Sequence, residues 1–223
     1  MTKLKYKIAF FLSLLIFYSS VLTAQIQVSK EPSHKKVLEN KYIRLLDVWI
    51  KPGDTSLFHI HSTPSLFLML SNTSAGSQIM GQEWTKSRNE RGKTWYKSFI
   101  NDTLIHRVAN FDTSLFHVTD IELLSSYKPT IPIQSLPFTI LFDNEKAIAY
   151  KLTQSSLDKK IISNRRPLIA QLVEGQEVIY YDVSKKKSTS ILTGKYLYIK
   201  PKSSFYFTAK ENENINMVLF EIK

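Results

Sequence analysis

Three histidines, His59, His61 and His106, are the side chains of this sequence best suited to chemistry. A single residue separates His59 from His61, so on a β-strand they point to the same side, about 7 Å apart along the chain. A third imidazole would complete a set of three nitrogen ligands for a divalent transition metal, with other coordination positions left open. We therefore predict a metal site at His59, His61 and His106, with His106 supplied by a later strand.

The first 24 residues have the pattern of a secretory signal peptide. Three lysines precede an uncharged apolar stretch at 8–22, and the small Ala24 stands before polar Gln25. As a helix this stretch would measure roughly 22 Å, short of the hydrocarbon core of a bilayer at about 30 Å. We expect cleavage after Ala24 and a periplasmic or secreted protein without stable membrane insertion. An uncleaved anchor is the alternative.

The composition limits the kinds of ligand and partner. The chain has no cysteine, so disulfides and thiolate ligands are excluded, and any metal must be held by imidazole, carboxylate, amide or water. The formal net charge of +11 becomes +8 once the three lysines of the signal segment are removed. Because the remaining basic residues are spread along the chain and match no nucleic-acid-binding module, we expect a solvated basic surface and no nucleic-acid partner.

Short runs of β-branched and aromatic residues predict an all-β fold. Such runs cover residues 42–50, 66–70, 94–100 and 115–124, and Pro, Gly, Asn, Asp or Ser bounds each of them. Long amphipathic helical patterns are missing, which favours a sandwich or barrel. Three prolines interrupt the pattern within 125–137, and we place a domain boundary there.

The second half of the chain repeats features of the first at a nearly constant distance. Gly92-Lys93 returns as Gly194-Lys195, 102 residues later, and further identities recur at 102 or 103 residues. A duplication is the simplest account and predicts two tandem domains, at 25–128 and 129–223. The residues aligned with the three histidines are Ile162, Asn164 and Thr208. We therefore expect one metal site, in the first domain, and a second domain without metal ligands.

The residues around the histidines resemble the motifs of the cupin superfamily. Gly53, His59 and His61 match the start of its first motif, G-x5-H-x-H, and His106 with Asn110 matches the H-x3-N ending of its second. With the duplication, the resemblance implies an all-β chain of two tandem cupin domains, each a jelly-roll β-barrel, the second degenerate. Because the motif histidines bind the metal in cupins, the resemblance also implies His59, His61 and His106 as ligands.

Some positions depart from the cupin pattern. Ser65 occupies the place of the metal-binding glutamate, and a serine hydroxyl is a poor ligand for a divalent ion. The site would then be a neutral set of three imidazoles, a centre known in cupin relatives that oxidise thiols with dioxygen. Candidates for the pocket wall or the core are Phe58, Phe67, Met69, Trp95 and Phe116. His34 and His117 match no motif, and we expect them at the surface or in the core.

Two functions fit this pattern. In the first, the histidines hold Fe, Mn, Ni, Cu or Zn while a small organic substrate occupies the open positions, as in a metal-dependent dioxygenase or isomerase. In the second, the protein is a non-catalytic module that binds a carbohydrate or another small molecule without metal. A third alternative gives the second barrel a structural role, in stabilising the first or a homodimer. The fold alone does not choose among them.

Overall fold

The computed structural model describes residues 26–130 and 132–223. Within these ranges the chain is almost entirely β, with two short 3-10 turns at Val28–Lys30 and Gln154–Ser156. The prediction of an all-β fold is confirmed. The predicted signal peptide, residues 1–24, lies outside the described residues. In the part of the chain that is described, no helix has the length and apolar character needed to cross a bilayer.

The strands between Ile26 and Leu123 form two five-stranded sheets. They are β1 (Ile26–Gln27), β2 (His34–Glu39), β3 (Ile43–Ile50), β4 (His59–His61), β5 (Ser65–Met69), β6 (Thr73–Ile79), β7 (Trp84–Asn89), β8 (Thr94–Lys97), β9 (Leu104–Asn110) and β10 (Phe116–Leu123). The sheet orders are β1-β4-β9-β6-β7 and β2-β3-β10-β5-β8. Pairing is antiparallel except between β1 and β4, which run parallel.

The strands between Thr139 and Ile222 form a second set of two sheets. They are β11 (Thr139–Asp143), β12 (Ala147–Thr153), β13 (Leu168–Glu174), β14 (Glu177–Asp182), β15 (Lys187–Leu192), β16 (Tyr196–Ile199), β17 (Phe205–Thr208) and β18 (Asn216–Ile222). Their orders are β11-β12-β18-β13-β16 and β15-β14-β17. The described residues of 125–137 carry no strand, so the two sets of sheets fall on either side of the predicted boundary. This layout fits two tandem barrels.

The central strands β10 and β18 bury both of their faces, and they join the two halves of the chain. Every residue of β10 is buried. Val118 on one face belongs to the core of the first half, whereas Ile121 on the other face packs in a cluster that includes Ala149 and Phe220 of the second half. The two halves therefore share a hydrophobic core.

The strand register identifies the counterparts of the histidines in the second half. His59 pairs with His106 across β4 and β9, and Ile162 forms the matching bridge to Phe205 of β17. Strand β17 also pairs with β14 as β9 pairs with β6. The counterpart of His106 is thus Phe205, and the alignment of His106 with Thr208 was wrong. Matching residues are 103 positions apart in the sequence for His59 and Ile162, but only 99 positions apart for His106 and Phe205. Both counterparts are apolar.

Candidate metal centre

The three predicted ligands meet where β4 pairs with β9. His59 lies opposite His106, and His61 projects from the same side of β4 as His59. Ring centroids are 5.1 Å apart for His59 and His61, 4.7 Å for His59 and His106, and 5.0 Å for His61 and His106. One ligand atom from each residue lies within 4.8 Å of the others. Because bonds from zinc to histidine nitrogen measure about 2.0–2.1 Å, modest side-chain movement would let one ion reach all three.

Hydrogen bonds set the protonation of the ring of His59 and orient that of His106. His59 Nδ1 lies 2.8 Å from the carbonyl oxygen of Leu57, which can only accept, so Nδ1 carries the proton. His106 Nδ1 lies 2.9 Å from the hydroxyl of Ser77. The Nε2 atoms of both rings are buried without a hydrogen-bond partner. A polar atom in this state is rare in a folded protein, and a metal ion would satisfy it.

Burial keeps all three imidazoles in the neutral form that binds metals. Desolvation, together with the nearby histidines, lowers the pKa of His59 to about 4, that of His106 to about 3 and that of His61 to about 2. Metal binding at neutral pH would therefore not have to displace a proton from any of the three rings.

A buried carboxyl group lies behind His61, on a strand that the motif analysis did not use. Asp120 of β10 is 1% exposed, and its Oδ2 lies 3.7 Å from His61 Nδ1. Burial and the nearby Glu122 raise the pKa of this carboxyl well above its usual value, while the Ser65 side chain acts in the opposite direction. Ser65, which takes the place of the cupin glutamate, instead donates its hydroxyl to the carbonyl of Thr63 at 3.2 Å.

His34 and Glu31 border the site from the N-terminal side. The His34 ring lies 4.6 Å from that of His59, and its Nδ1 lies 2.5 Å from Glu31 Oε2. Glu31 also accepts a hydrogen bond from the amide of Leu57, the residue whose carbonyl holds His59. Burial alone would raise the pKa of Glu31, but its hydrogen bonds lower the value overall. His34, which matched no motif, is thus a buried wall residue of the pocket rather than a surface residue.

The four histidines line a pocket of about 260 Å³ inside the first half. Three of the predicted wall residues, Met69, Trp95 and Phe116, line it as well, together with other mainly apolar side chains. This volume lies just below the roughly 300–1,000 Å³ of sites for drug-sized ligands, so the pocket suits a smaller molecule.

The other predicted residues lie outside the pocket lining. Phe67 stacks on Trp95 at 4.9 Å, and Phe58 lies under the guanidinium of Arg107 at 4.7 Å. His117 stacks on Trp49 at 3.5 Å and pairs its Nε2 with Asp47 Oδ1 at 2.7 Å. His117 is therefore a buried residue of the β3–β10 pair with partners of its own.

Comparisons with known proteins address the fold. No family model and no curated protein matches the sequence. Among solved structures, a cupin 2 conserved barrel domain protein from Leptotrichia buccalis is 11% identical, covering 92% of this chain and 94% of that one with a TM-score of 0.54. Salicylate 1,2-dioxygenase from Pseudoaminobacter salicylatoxidans, in adducts with gentisate, is 10% identical, covering 93% and 78% with a TM-score of 0.59.

A third similar structure is the bacterial pirin from Escherichia coli in complex with nickel(II). It is 15% identical, and the match covers 84% of this chain and 89% of that one with a TM-score of 0.55. At these identities the likeness concerns the fold. The resemblance to cupins read from the motifs is confirmed at that level, and the chain has a cupin fold.

Proposed function

We propose that this cupin-fold protein binds a divalent transition metal through His59, His61 and His106 and presents it to a small organic molecule in the adjoining pocket. One observation carries the proposal: three neutral imidazoles, two buried and one partly buried, lie within reach of one ion, and the Nε2 atoms of His59 and His106 have no other partner. A metal held this way would supply Lewis-acid or redox chemistry, because three protein ligands leave coordination positions open.

The surrounding residues would prepare the site for such a ligand. The Leu57 carbonyl and the Ser77 hydroxyl fix the rings of His59 and His106, as outer partners of metal-binding histidines usually do. Apolar neighbours such as Val48, Ile50 and Val118 would exclude water from the bound molecule. The nickel complex of the pirin and the gentisate adduct of the dioxygenase are consistent with a metal and a small molecule in this fold.

Elemental analysis of the purified full-length protein tests the proposal. After incubation with Fe, Mn, Ni, Cu or Zn and gel filtration, we expect one equivalent of metal for the wild type. We expect near-complete loss in the His59→Ala, His106→Ala double variant, since a single remaining imidazole cannot retain the ion. His117→Ala is the matched control because His117 is buried and paired outside the pocket. Metal content that is unaffected by the double variant would refute the proposed site.

The second candidate function is binding of a small ligand without metal, and the absence of a carboxylate ligand at Ser65 favours it. In thermal-shift measurements, stabilisation by sugars that persists in chelator, with no stabilisation by metals, would support this alternative. Stabilisation by a metal that chelator reverses would support the metal site.

Export belongs to the proposal as well. The pattern of the first 24 residues favours cleavage after Ala24, so the intact mass of the processed protein would correspond to a chain that begins at Gln25. We place the mature protein in the periplasm or outside the cell. A mass that includes the leader would instead indicate an uncleaved anchor.

A further inference from the structure

A larger cavity lies in the second half of the chain, apart from the histidine pocket. Its volume of about 550 Å³ falls within the roughly 300–1,000 Å³ typical of small-molecule sites. The walls come from the segment before β11, from the loop that follows the Gln154–Ser156 turn, and from β17. Ile162, the counterpart of His59, is part of this wall, so an apolar side chain stands here in place of the first metal ligand.

Arg165 supplies a buried cation to this cavity. The residue is 8% exposed, and two of its three guanidinium nitrogens are engaged. Nη1 donates to the carbonyl of Gln134 at 2.7 Å, and Nη2 donates to Glu221 Oε2 at 2.5 Å. The remaining nitrogen, Nε, is buried and has no acceptor. A buried N–H group without an acceptor is costly, and because Arg165 borders the cavity, a bound carboxylate would accept charge-assisted hydrogen bonds from its guanidinium.

The charges beneath the cavity leave an excess of positive charge. The Glu221 carboxylate accepts hydrogen bonds from both Arg165 and Arg166, and the distance from Arg166 Nη1 to Glu221 Oε1 is 3.4 Å. It also accepts a hydrogen bond from the hydroxyl of Tyr150 at 3.2 Å. One carboxylate thus faces two guanidinium groups. Among the lining residues, the exposed Lys160 and Asp158 carry opposite charges. The net charge around the cavity therefore favours an anion.

The other lining residues are mixed, with apolar side chains beside the hydroxyl groups of Ser155, Ser156 and Ser163. Leu136, Phe138 and Phe207 belong to the core cluster of the second half and also border the cavity. A molecule that fills this space would therefore contact apolar side chains and hydroxyl groups as well as Arg165.

We propose that this cavity binds a small organic anion, with a carboxylate on Arg165 and a compact apolar body against Phe138 and Phe207. The site is independent of the metal centre, because its residues come from the second half of the chain. It gives the half that lacks metal ligands a binding function of its own.

Benzoate is a suitable probe, with benzamide and benzylamine as neutral and cationic analogues of the same size. By calorimetry on the full-length protein in chelator, we expect benzoate to bind with a dissociation constant of about 0.1–1 mM, as ligand efficiency allows for so few atoms. We expect at least about tenfold weaker binding of both analogues. Equal binding of benzoate and benzamide would refute anion recognition, and absence of benzoate binding would refute the site.

Substitutions at exposed positions show where benzoate binds without changing the buried ion pair of Arg165 and Glu221. Ser163→Trp places a large side chain at an exposed lining position and should weaken benzoate binding at least about tenfold, whereas Ser188→Trp, on the exposed strand β15, should leave it unchanged. Arg165→Gln should have the effect of Ser163→Trp in protein whose circular dichroism is preserved. The His59→Ala, His106→Ala double variant should bind benzoate as the wild type does. Binding that survives Ser163→Trp, or that is lost with the histidines, would overturn the proposal.

Discussion

His59 and His106 each direct Nδ1 to a protein oxygen and leave Nε2 buried without a partner. This arrangement lowers the pKa of both rings, because the charged form would lose its hydration and gain no carboxylate in direct contact. The same burial that readies the site for a metal therefore makes the metal-free protein sensitive to acid.

The sign of this sensitivity follows from the lowered pKa values. Below about pH 6.5 the three histidines take up protons in the unfolded state but stay neutral in the folded state, so the free energy of unfolding falls as the pH drops towards 4. The slope reaches up to about 4 kcal/mol per pH unit for three protons. Urea unfolding in chelator at pH 7, 6 and 5 measures it. Replacing all three histidines by Gln should make the free energy of unfolding less dependent on pH. An equal pH dependence in the variant and the wild type would contradict the prediction.

Asp120 places a carboxyl group beside His61 although Ser65 removes the one expected from the motif. Close to a bound cation, the ionised form of this carboxyl would be favoured despite its burial, and a carboxylate next to a metal-binding histidine orients the ring and raises its basicity. We predict that Asp120→Asn weakens metal binding about 10–100-fold while the fold is retained, as measured by competition with a chromophoric chelator. Asp102→Asn, at an exposed carboxyl, is the control. Equal affinity of the two variants would show that Asp120 has no part in the site.

The sequence predicts the three histidines because their spacing is local: an alternate pair lies on one strand, and a motif marks the third. It does not predict Asp120, Glu31 or His34, because strand pairing and the path of the N-terminal segment bring them to the site. A short pattern in the sequence contains no information on contacts of that kind. The signal that could have drawn attention to Asp120 was its position in 116–123, because on a strand it shares the face of the apolar Phe116 and Val118.

At the scale of elements, turn residues and β-branched runs predicted the strands at Ile43–Ile50, Ser65–Met69, Thr94–Lys97 and Phe116–Leu123, but not their environment. A strand with one solvated face alternates apolar and polar residues. In β10 the sequence alternates in part, yet Thr119, Asp120 and Glu122 are all buried. Thr119 accepts a hydrogen bond at 2.8 Å from Gln171 of β13, and Glu122 pairs with Arg44 at 2.9 Å. Thr119 and Glu122 can be buried because partners from the other half or from another strand reach them.

At the scale of the whole molecule, the recurring residues predicted a duplication, but they contained no information on the shared core or on the strand register. Residues such as Ile43, Leu45 and Ile121 of the first half are covered by the second half. Assuming a constant distance between matching residues also misplaced the counterpart of His106. A loop that is shorter in the second half changes that distance for every later match.

The shared core predicts that the first half does not reach its native stability alone. A chain of residues 25–128 would expose the apolar face of β3, β5 and β10, and each large side chain left in water forgoes roughly 1.5–3 kcal/mol. We expect this fragment to aggregate, or to unfold at a lower urea concentration than the full-length protein. Sedimentation and urea unfolding measure both outcomes. A monomeric fragment with the stability of the full-length protein would contradict a packing role for the second half.

The parallel pairing of β1 with β4 places Ile26 beside His59, two residues beyond Ala24. Anything still attached ahead of Ile26 would emerge at the sheet edge that borders the first metal ligand. For the experimentalist, an affinity tag is better joined to the C-terminus, because a tag joined at Gln25 would begin next to the strand that carries His59.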